Sequence, residues 1–391
     1  YLQSVVGSSY SFIDSFTGGS FLSMSVFALS VTPYITASII MQLLTIAIPA
    51  LEEMQRDGED GRKKMNQITR YVSVGLAIIE SAGLSIGFSR QGALQDKSVF
   101  TILTIIVTLT AGSCIIMWLG ERISDKGIGN GISIILLINI VSRMPNDFSN
   151  LYIMFVKGKD IVQAVVAVCI IVAVVIGTTI FVIILQDAER RIPVQYSKKV
   201  QGRKMAGGQS SYIPLKVNTA GVIPIIFASS LLSVPSIVIN LFNMNVGTTA
   251  QKIMQGMNQN YWFNAEYPWA SIGLIVYILL NIIFAYFYTS ITFNPIEVAN
   301  NMKKSGGFIP GIRPGKTTQD YLNKILNYIV LIGVIGLLIV ALIPIFFNGA
   351  FKADVSFGGT SLIIIVGVIL ETMKQLESQM LVRNYSGFLN N

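Results

Sequence analysis

Apolar residues fall in long runs separated by polar, mostly basic stretches. Nine runs approach the roughly 20 residues that a helix needs to cross the hydrocarbon core of a bilayer. They are Ser25–Ile48, Tyr71–Phe88, Val99–Leu119, Gly131–Val141, Ile161–Leu185, Thr219–Phe242, Trp269–Phe293, Ile325–Phe347 and Thr360–Met373. Backbone polar groups cannot face lipid unpaired, so each run predicts a helix despite its many β-branched residues. The fourth run is short for a span and is flanked by "GIGNG". The expected fold class is an all-α polytopic membrane protein.

Two connections between the runs are longer than a plain linker, about 30 residues each. The first, over residues 187–217, reads "DAERRIPVQYSKKVQGRKMAGGQSSYIPLKV". Its basic residues alternate with Val, Tyr and Ile, which suits a β-hairpin with one basic face, and "GG" is a candidate turn. The second, over residues 294–324, contains "GGFIPGIRPGKTTQ". Pro310 and Pro314 stiffen the backbone there and the glycines permit tight turns, so Arg313 is presented at a fixed place. Basic loops beside a bilayer commonly contact anionic lipid. The length and stiffness of these two favour a docking surface for a protein or ribonucleoprotein.

Composition sharpens the membrane reading. Of 391 residues 52% are hydrophobic and only 12% charged, about half the charged fraction of a soluble domain. The 28 basic residues set orientation, since cytoplasmic loops carry the excess of Lys and Arg. Only Arg90, Lys97, Arg143, Lys157, Lys159, Lys252 and Lys352 lie in one set of loops; the rest lie in the alternate set. That larger set and the C-terminus are expected to be cytoplasmic, with Tyr1 outside. A start outside without a signal peptide implies a preceding span, hence ten in the natural protein. Histidine is absent, which excludes a histidine-ligated metal or histidine base. Cys114 and Cys169 both sit in apolar runs and imply no disulfide framework.

The middles of the spans are almost free of charge. Glu80, in "LAIIESAG", is the plain exception. It is either a structural carboxyl hydrogen-bonded to a neighbouring helix or a polar latch between helices that part. Ion-coupled transport needs more ionisable groups at the midplane than this. "SVTPYITASIIMQLL" and "NTAGVIPIIFASSLLSVP" place Pro33, Pro224 and Pro235 among small and hydroxyl residues, predicting kinked, closely packed helices. Such helices serve either as tight packing or as elements that separate and reclose.

Several long motifs, in order along nearly the whole chain, resemble the SecY family of bacterial protein-conducting channels. They are "GGSFLSMSVFALSVTPYITASIIMQLL", "GEDGRKKMNQITRY", "MWLGERISDKGIGNGISII", "GGQSSYIPLKVNTAGVIPIIFASS", "FNPIEVANNMKKSGGFIPGIRPGKTTQDYL" and "FGGTSLIIIVGVILETMKQLES". The departure is at the start, where the family's first span has no counterpart. The resemblance implies an hourglass of two pseudo-symmetric five-span halves, residues 1–160 and 161–391, hinged on one side and opening to lipid on the other. It implies a pore ring at Val31, Ile35, Ile132, Leu136, Ile226 and Ile364. A plug is implied over residues 9–20, with Ser9, Tyr10, Phe12, Ile13 and Phe16 in it and Gly18 and Gly19 as its hinge. Thr36, Glu80 and Asn218 match polar lateral-gate positions.

The resemblance also supplies partners. These are the SecE and SecG subunits, the SecA motor ATPase or the ribosome docking through Lys198, Lys199, Arg203, Lys204, Arg313 and Lys316, a secretory or membrane-protein polypeptide as substrate, and membrane lipids. A dry aliphatic ring blocks ions by dewetting and selects no particular chain sequence. The sequence has no nucleotide-binding loop and no catalytic constellation. The expected activity is a passive conduit without a cofactor, in the cytoplasmic membrane and driven by a partner. The competing readings are a secondary transporter for a small solute, which also has related halves, and a scaffold without a pore.

Overall fold

The computed structural model describes residues 17–388 apart from 22, 91–93, 95, 97, 197–198, 202–203, 207–209, 243–251, 254–255, 258–261, 264–267 and 352–359. Most of the described chain is α-helix. In order, the helices are α1 (Thr32–Ala47), α2 (Pro49–Arg56), α3 (Gly58–Arg90), α4 (Val99–Lys126), α5 (Gly131–Phe155), α6 (Ile161–Asp187), α7 (Ile223–Phe242), α8 (Ile272–Thr292), α9 (Pro295–Lys304), α10 (Lys316–Phe351) and α11 (Thr360–Phe388). Five strands accompany them: β1 (Glu189–Tyr196), β2 (Lys199–Gln201), β3 (Lys204–Ala206), β4 (Ser210–Lys216) and β5 (Gly307–Phe308).

Helix starts follow local chemistry. The Asn130 side chain accepts from the N–H groups of Ile132 (3.1 Å) and Ser133 (3.4 Å), capping α5. Asn294 does the same for α9 through Ile296 and Glu297. Such caps satisfy donors that have no partner inside the helix. Pro33, Pro49 and Pro295 occupy first turns, where the missing N–H removes no helical bond.

Three expectations are corrected here. The run Ser25–Ile48 is not helical throughout: residues 26–31 form turns and α1 begins at Thr32. Pro33 therefore opens the helix instead of kinking it. Pro224 likewise lies at the start of α7, and only Pro235 is interior. The fourth span is not short, because α5 continues past Val141 to Phe155 with Pro145 inside it.

Among the described residues, five helices are long and apolar enough to cross a membrane, or six if the bent pair α1 and α2 counts as one span; the pair bends by 109°. The expected nine runs exceed this for identifiable reasons. The second half of α5 carries Asn139, Ser142, Arg143, Asn146 and Asp147, and α11 carries Glu371, Lys374 and Glu377. In α7 many side chains lie outside the described set. The exposed aliphatics of α6, from Ile161 to Ile184, are what a lipid-facing helix requires.

Packing divides into clusters. The largest joins α6, α7, α8, α10 and α11 around Val182, Ile225, Tyr277, Val340 and Ile363. Trp262 is fully buried in it and donates Nε1–H to the Gly256 carbonyl at 2.7 Å. A smaller cluster sets Ala28 and Leu29 against Ala77 of α3 and Leu109 of α4. There Gly112 permits close approach, since a Cβ on it would lie 2.1 Å from the Val26 carbonyl oxygen.

The two long connections form one body. β1 pairs antiparallel with β4, Ile192 opposite Ile213 and Gln195 opposite Ser210. β5, from the second connection, pairs with the other edge of β1 through Gln195↔Phe308 and Tyr196↔Gly307. The sheet order is therefore β4-β1-β5. The hairpin expected from alternation is present in β1 and β4, with β2 and β3 as a second antiparallel pair beyond it. The "GG" candidate turn, residues 207–208, lies outside the described residues. The second connection is not a loop throughout: it contains α9 and β5, and Lys316 is already the first residue of α10.

Candidate functional site

The six predicted ring residues belong to a single aliphatic cluster. Val31, Leu136 and Ile364 are buried in it, and Ile35, Ile132 and Ile226 are half-buried against them. They come from four places: the entry to α1, the first turns of α5, the start of α7 and the start of α11. Sequence reasoning missed Ile140 and Val368, which are buried in the same cluster. Their signal was available, because each lies one helical turn beyond a predicted member, Leu136 or Ile364.

Directly beside the cluster lies a band of polar contacts. Ser30, 2% exposed, accepts from Asn139 Nδ2 of α5 through its Oγ at 2.8 Å. Its carbonyl accepts from Ser113 Oγ of α4 at 3.1 Å. Ser142 Oγ donates to the Asn139 carbonyl at 2.7 Å. In the predicted plug hinge, Gly18 and Gly19 have φ of 66° and 84°, values open to glycine at little cost. A Cβ on Gly18 would stand 3.0 Å from Ser142 Oγ and 3.1 Å from the Asn139 carbonyl oxygen. The other plug residues, Ser9, Tyr10, Phe12, Ile13 and Phe16, lie outside the described residues.

The three predicted gate residues fall on three elements. Thr36 of α1 donates Oγ1–H to the Thr32 carbonyl at 3.0 Å. Glu80 is half-buried on α3, and α3 packs against both α1 and α7. Asn218 lies in the turn before α7, 7% exposed, and its Nδ2 has no hydrogen-bond partner among the described residues. Its neighbour Val217 presses a carbonyl against α10, where a Cβ on Gly333 would come within 2.4 Å of it.

At the basic end of the bundle, the three-stranded sheet buries one face. Ile192, Val194 and Leu215 pack with Met302, Ile309, Leu322, Leu326 and Ile329. The opposite face is polar: Arg191 stacks over the Tyr212 ring at 4.9 Å. The Glu189 carboxylate, hydrogen-bonded to Arg191 Nε at 2.7 Å, holds that guanidinium's pKa above its ordinary value. Arg313 is exposed, yet its backbone is fixed, because buried Thr318 donates Oγ1–H to its carbonyl at 2.9 Å. Gly311 and Gly315 flank it with φ of 81° and 108°. Lys199 and Lys204 lie in β2 and β3; Lys198 and Arg203 lie outside the described residues. On the same end, Lys374 of α11 pairs with Asp187 at the end of α6 at 2.7 Å.

A family model, SecY, matches residues 25–373. The chain belongs to the SecY family. It is 45% identical to the protein translocase subunit SecY of Streptomyces scabiei, an alignment covering 97% of this chain and 87% of the relative. Among solved structures, a protein-conducting channel superposes with TM-score 0.63 at 20% identity, covering 94% of this chain and 84% of that one. A SecY whose plug domain stabilises the closed state of its channel superposes with TM-score 0.60 at 21% identity, covering 94% and 85%. As a SecY-family member, the chain is a multi-pass membrane subunit of a protein translocase, a protein-conducting channel. The secondary-transporter reading is thereby set aside.

Proposed function

We propose that the chain is a passive conduit for unfolded polypeptide, closed at its waist by the aliphatic cluster. The observation that carries this is convergence: six aliphatic side chains from four separate parts of the chain meet in one cluster, three of them buried and three half-buried. Such a collar excludes water and ions without fixed charges that would select a sequence. The chain then has no catalytic role of its own, and the driving force comes from a docked SecA-type motor or ribosome, with SecE and SecG as companion subunits. Residues 1–160 and 161–391 act as two halves that part between α1, α3 and α7, with Thr36, Glu80 and Asn218 at the parting line. The segment ending at Gly18 and Gly19 is the plug. The basic loops and the C-terminus face the cytoplasm, in keeping with the concentration of Lys and Arg there.

A photo-crosslinker at Ile226 tests the conduit directly. In membranes carrying a secretory chain arrested midway through export, Ile226 is expected to crosslink to the arrested chain. Absence of that adduct, with the chain demonstrably arrested, would overturn the reading.

A further inference from the structure

The residue before Val31 is in an unusual conformation. Ser30 has φ of 47°, the left-handed region that residues with side chains seldom occupy. Nothing in its own side chain requires this. The neighbours do: Ser113 Oγ holds its carbonyl from α4, and Asn139 Nδ2 holds its Oγ from α5. A turn bond from Ser30 N–H to the Phe27 carbonyl at 2.9 Å closes the bend. The chain leaves that bend directly into Val31, which is 1% exposed within the collar.

Asn139 stands between Leu136 and Ile140 on α5, so it is placed by the same helix that supplies those two residues to the cluster. Its carbonyl receives Ser142 Oγ, and a Cβ added to Gly18 would stand 3.1 Å from that same oxygen. One residue therefore bonds the turn that delivers Val31 and lies close enough to Gly18 to leave little room there for a side chain.

We propose that Asn139 is a positioning residue of the closed channel, holding Ser30 in its left-handed turn and thereby seating Val31 in the collar. This rests on the collar reading given above. The physical basis is that a polar group buried in a low-dielectric interior is held firmly once paired and is costly when unpaired. The pairing here is matched to a backbone conformation that would otherwise relax.

The test is a rescue experiment on the full channel with its companion subunits in planar bilayers, reading resting ion conductance. Asn139→Ala leaves Ser30 strained and held from the neighbouring helices only through its carbonyl, by Ser113, so the resting conductance should rise several-fold with the amount of inserted channel unchanged. Ser30→Ala, which cannot accept from Asn139 and retains the strain, should leak in the same way and serves if Asn139→Ala inserts poorly. Ser30→Gly should stay near the parent, because glycine takes a positive φ without a side-chain penalty. The deciding variant is the double substitution: in the Ser30→Gly background, Asn139→Ala should no longer leak. A leak that persists undiminished there would overturn the proposal, as would parental conductance in both Asn139→Ala and Ser30→Ala. Ile226→Asn, placed in the collar itself, runs alongside. If it leaks while the Asn139 series fails, only the positioning role falls; if it too stays sealed, the collar reading falls with it.

Discussion

Truncating Ile192 to Ala should detach the Arg313 loop from the hairpin while leaving the membrane helices in place. Ile192 is 2% exposed and sits among Val194, Leu215, Met302, Ile309, Leu322, Leu326 and Ile329. The substitution removes three carbons, and at about 0.8 kcal/mol each the lost transfer free energy is about 2.4 kcal/mol. A cavity term adds to this, so the cost falls within the usual ~2–5 kcal/mol for such truncations. Against it stands the attachment of β5, which rests on two residue pairs with β1. At roughly 0.5–1.5 kcal/mol net per hydrogen bond, that attachment is no larger than the loss. Amide exchange at Gly307 and Phe308 should therefore accelerate, and motor-driven import into reconstituted vesicles should fall with it. Ile192→Val, costing roughly 0.5–1.5 kcal/mol, should keep both near the parent. Among the described residues, the largest membrane cluster shares only Val217 with this one, so insertion should not change. If exchange accelerated while import stayed at the parental rate, the two loops would not need to act as one platform and the reasoning would fail.

Glu80→Leu removes a half-buried carboxyl from a helix between the two sides of the proposed gate. It should change how hydrophobic a signal sequence must be to open the channel, because an unpaired charge in hydrocarbon is costly and a paired one links helices; identical export of weak and strong signal sequences would count against a latch. Arg313→Glu should stop motor-driven export with the channel folded and inserted, and Arg313→Lys should be partly active, since it keeps the charge and loses the planar fork. Full activity of the Lys variant together with a mild Glu phenotype would return the loop to lipid contact.

The membrane helices were legible because a bilayer accepts only satisfied backbone, so a long apolar run leaves little choice of structure. Their ends were less so. Hydropathy does not distinguish the turns at residues 26–31 from a helix, since "VFALSV" is equally apolar in either. Pro33 in "SVTPYI" reads as a kink by composition but lies in the first turn of α1, where a proline's missing N–H removes no helical bond. The opposite error shortened α5: polarity ends the apolar run at Ser142 and Arg143, whereas the helical backbone continues to Phe155 whatever solvent surrounds it. In the first long loop the alternation of "RRIPVQY" announced β1. Its second partner, the dipeptide "GF" of β5, carries no strand signal at all and is a strand only because β1 lies beside it.

The collar poses a different problem. A seal by dewetting needs only aliphatic side chains of suitable size, and this chain is full of them, so no local pattern separates Ile226 from its neighbours Ile223 and Ile225. Only resemblance singled the six out, and only the folded chain brings them together. The polar residues beside the collar behave oppositely. A hydroxyl or amide buried among lipid-soluble helices is costly without a partner, and each partner it does find fixes a direction as well as a distance. Asn139 on α5 thus specifies Ser30, and Ser113 on α4 specifies the same residue from another side. In a chain where aliphatic side chains are interchangeable, the few buried polar ones carry most of the positional information. On the proposed reading, the waist can therefore be nonspecific in its contact with a passing polypeptide and still closed in one geometry, because the two properties reside in adjacent residues of different chemistry.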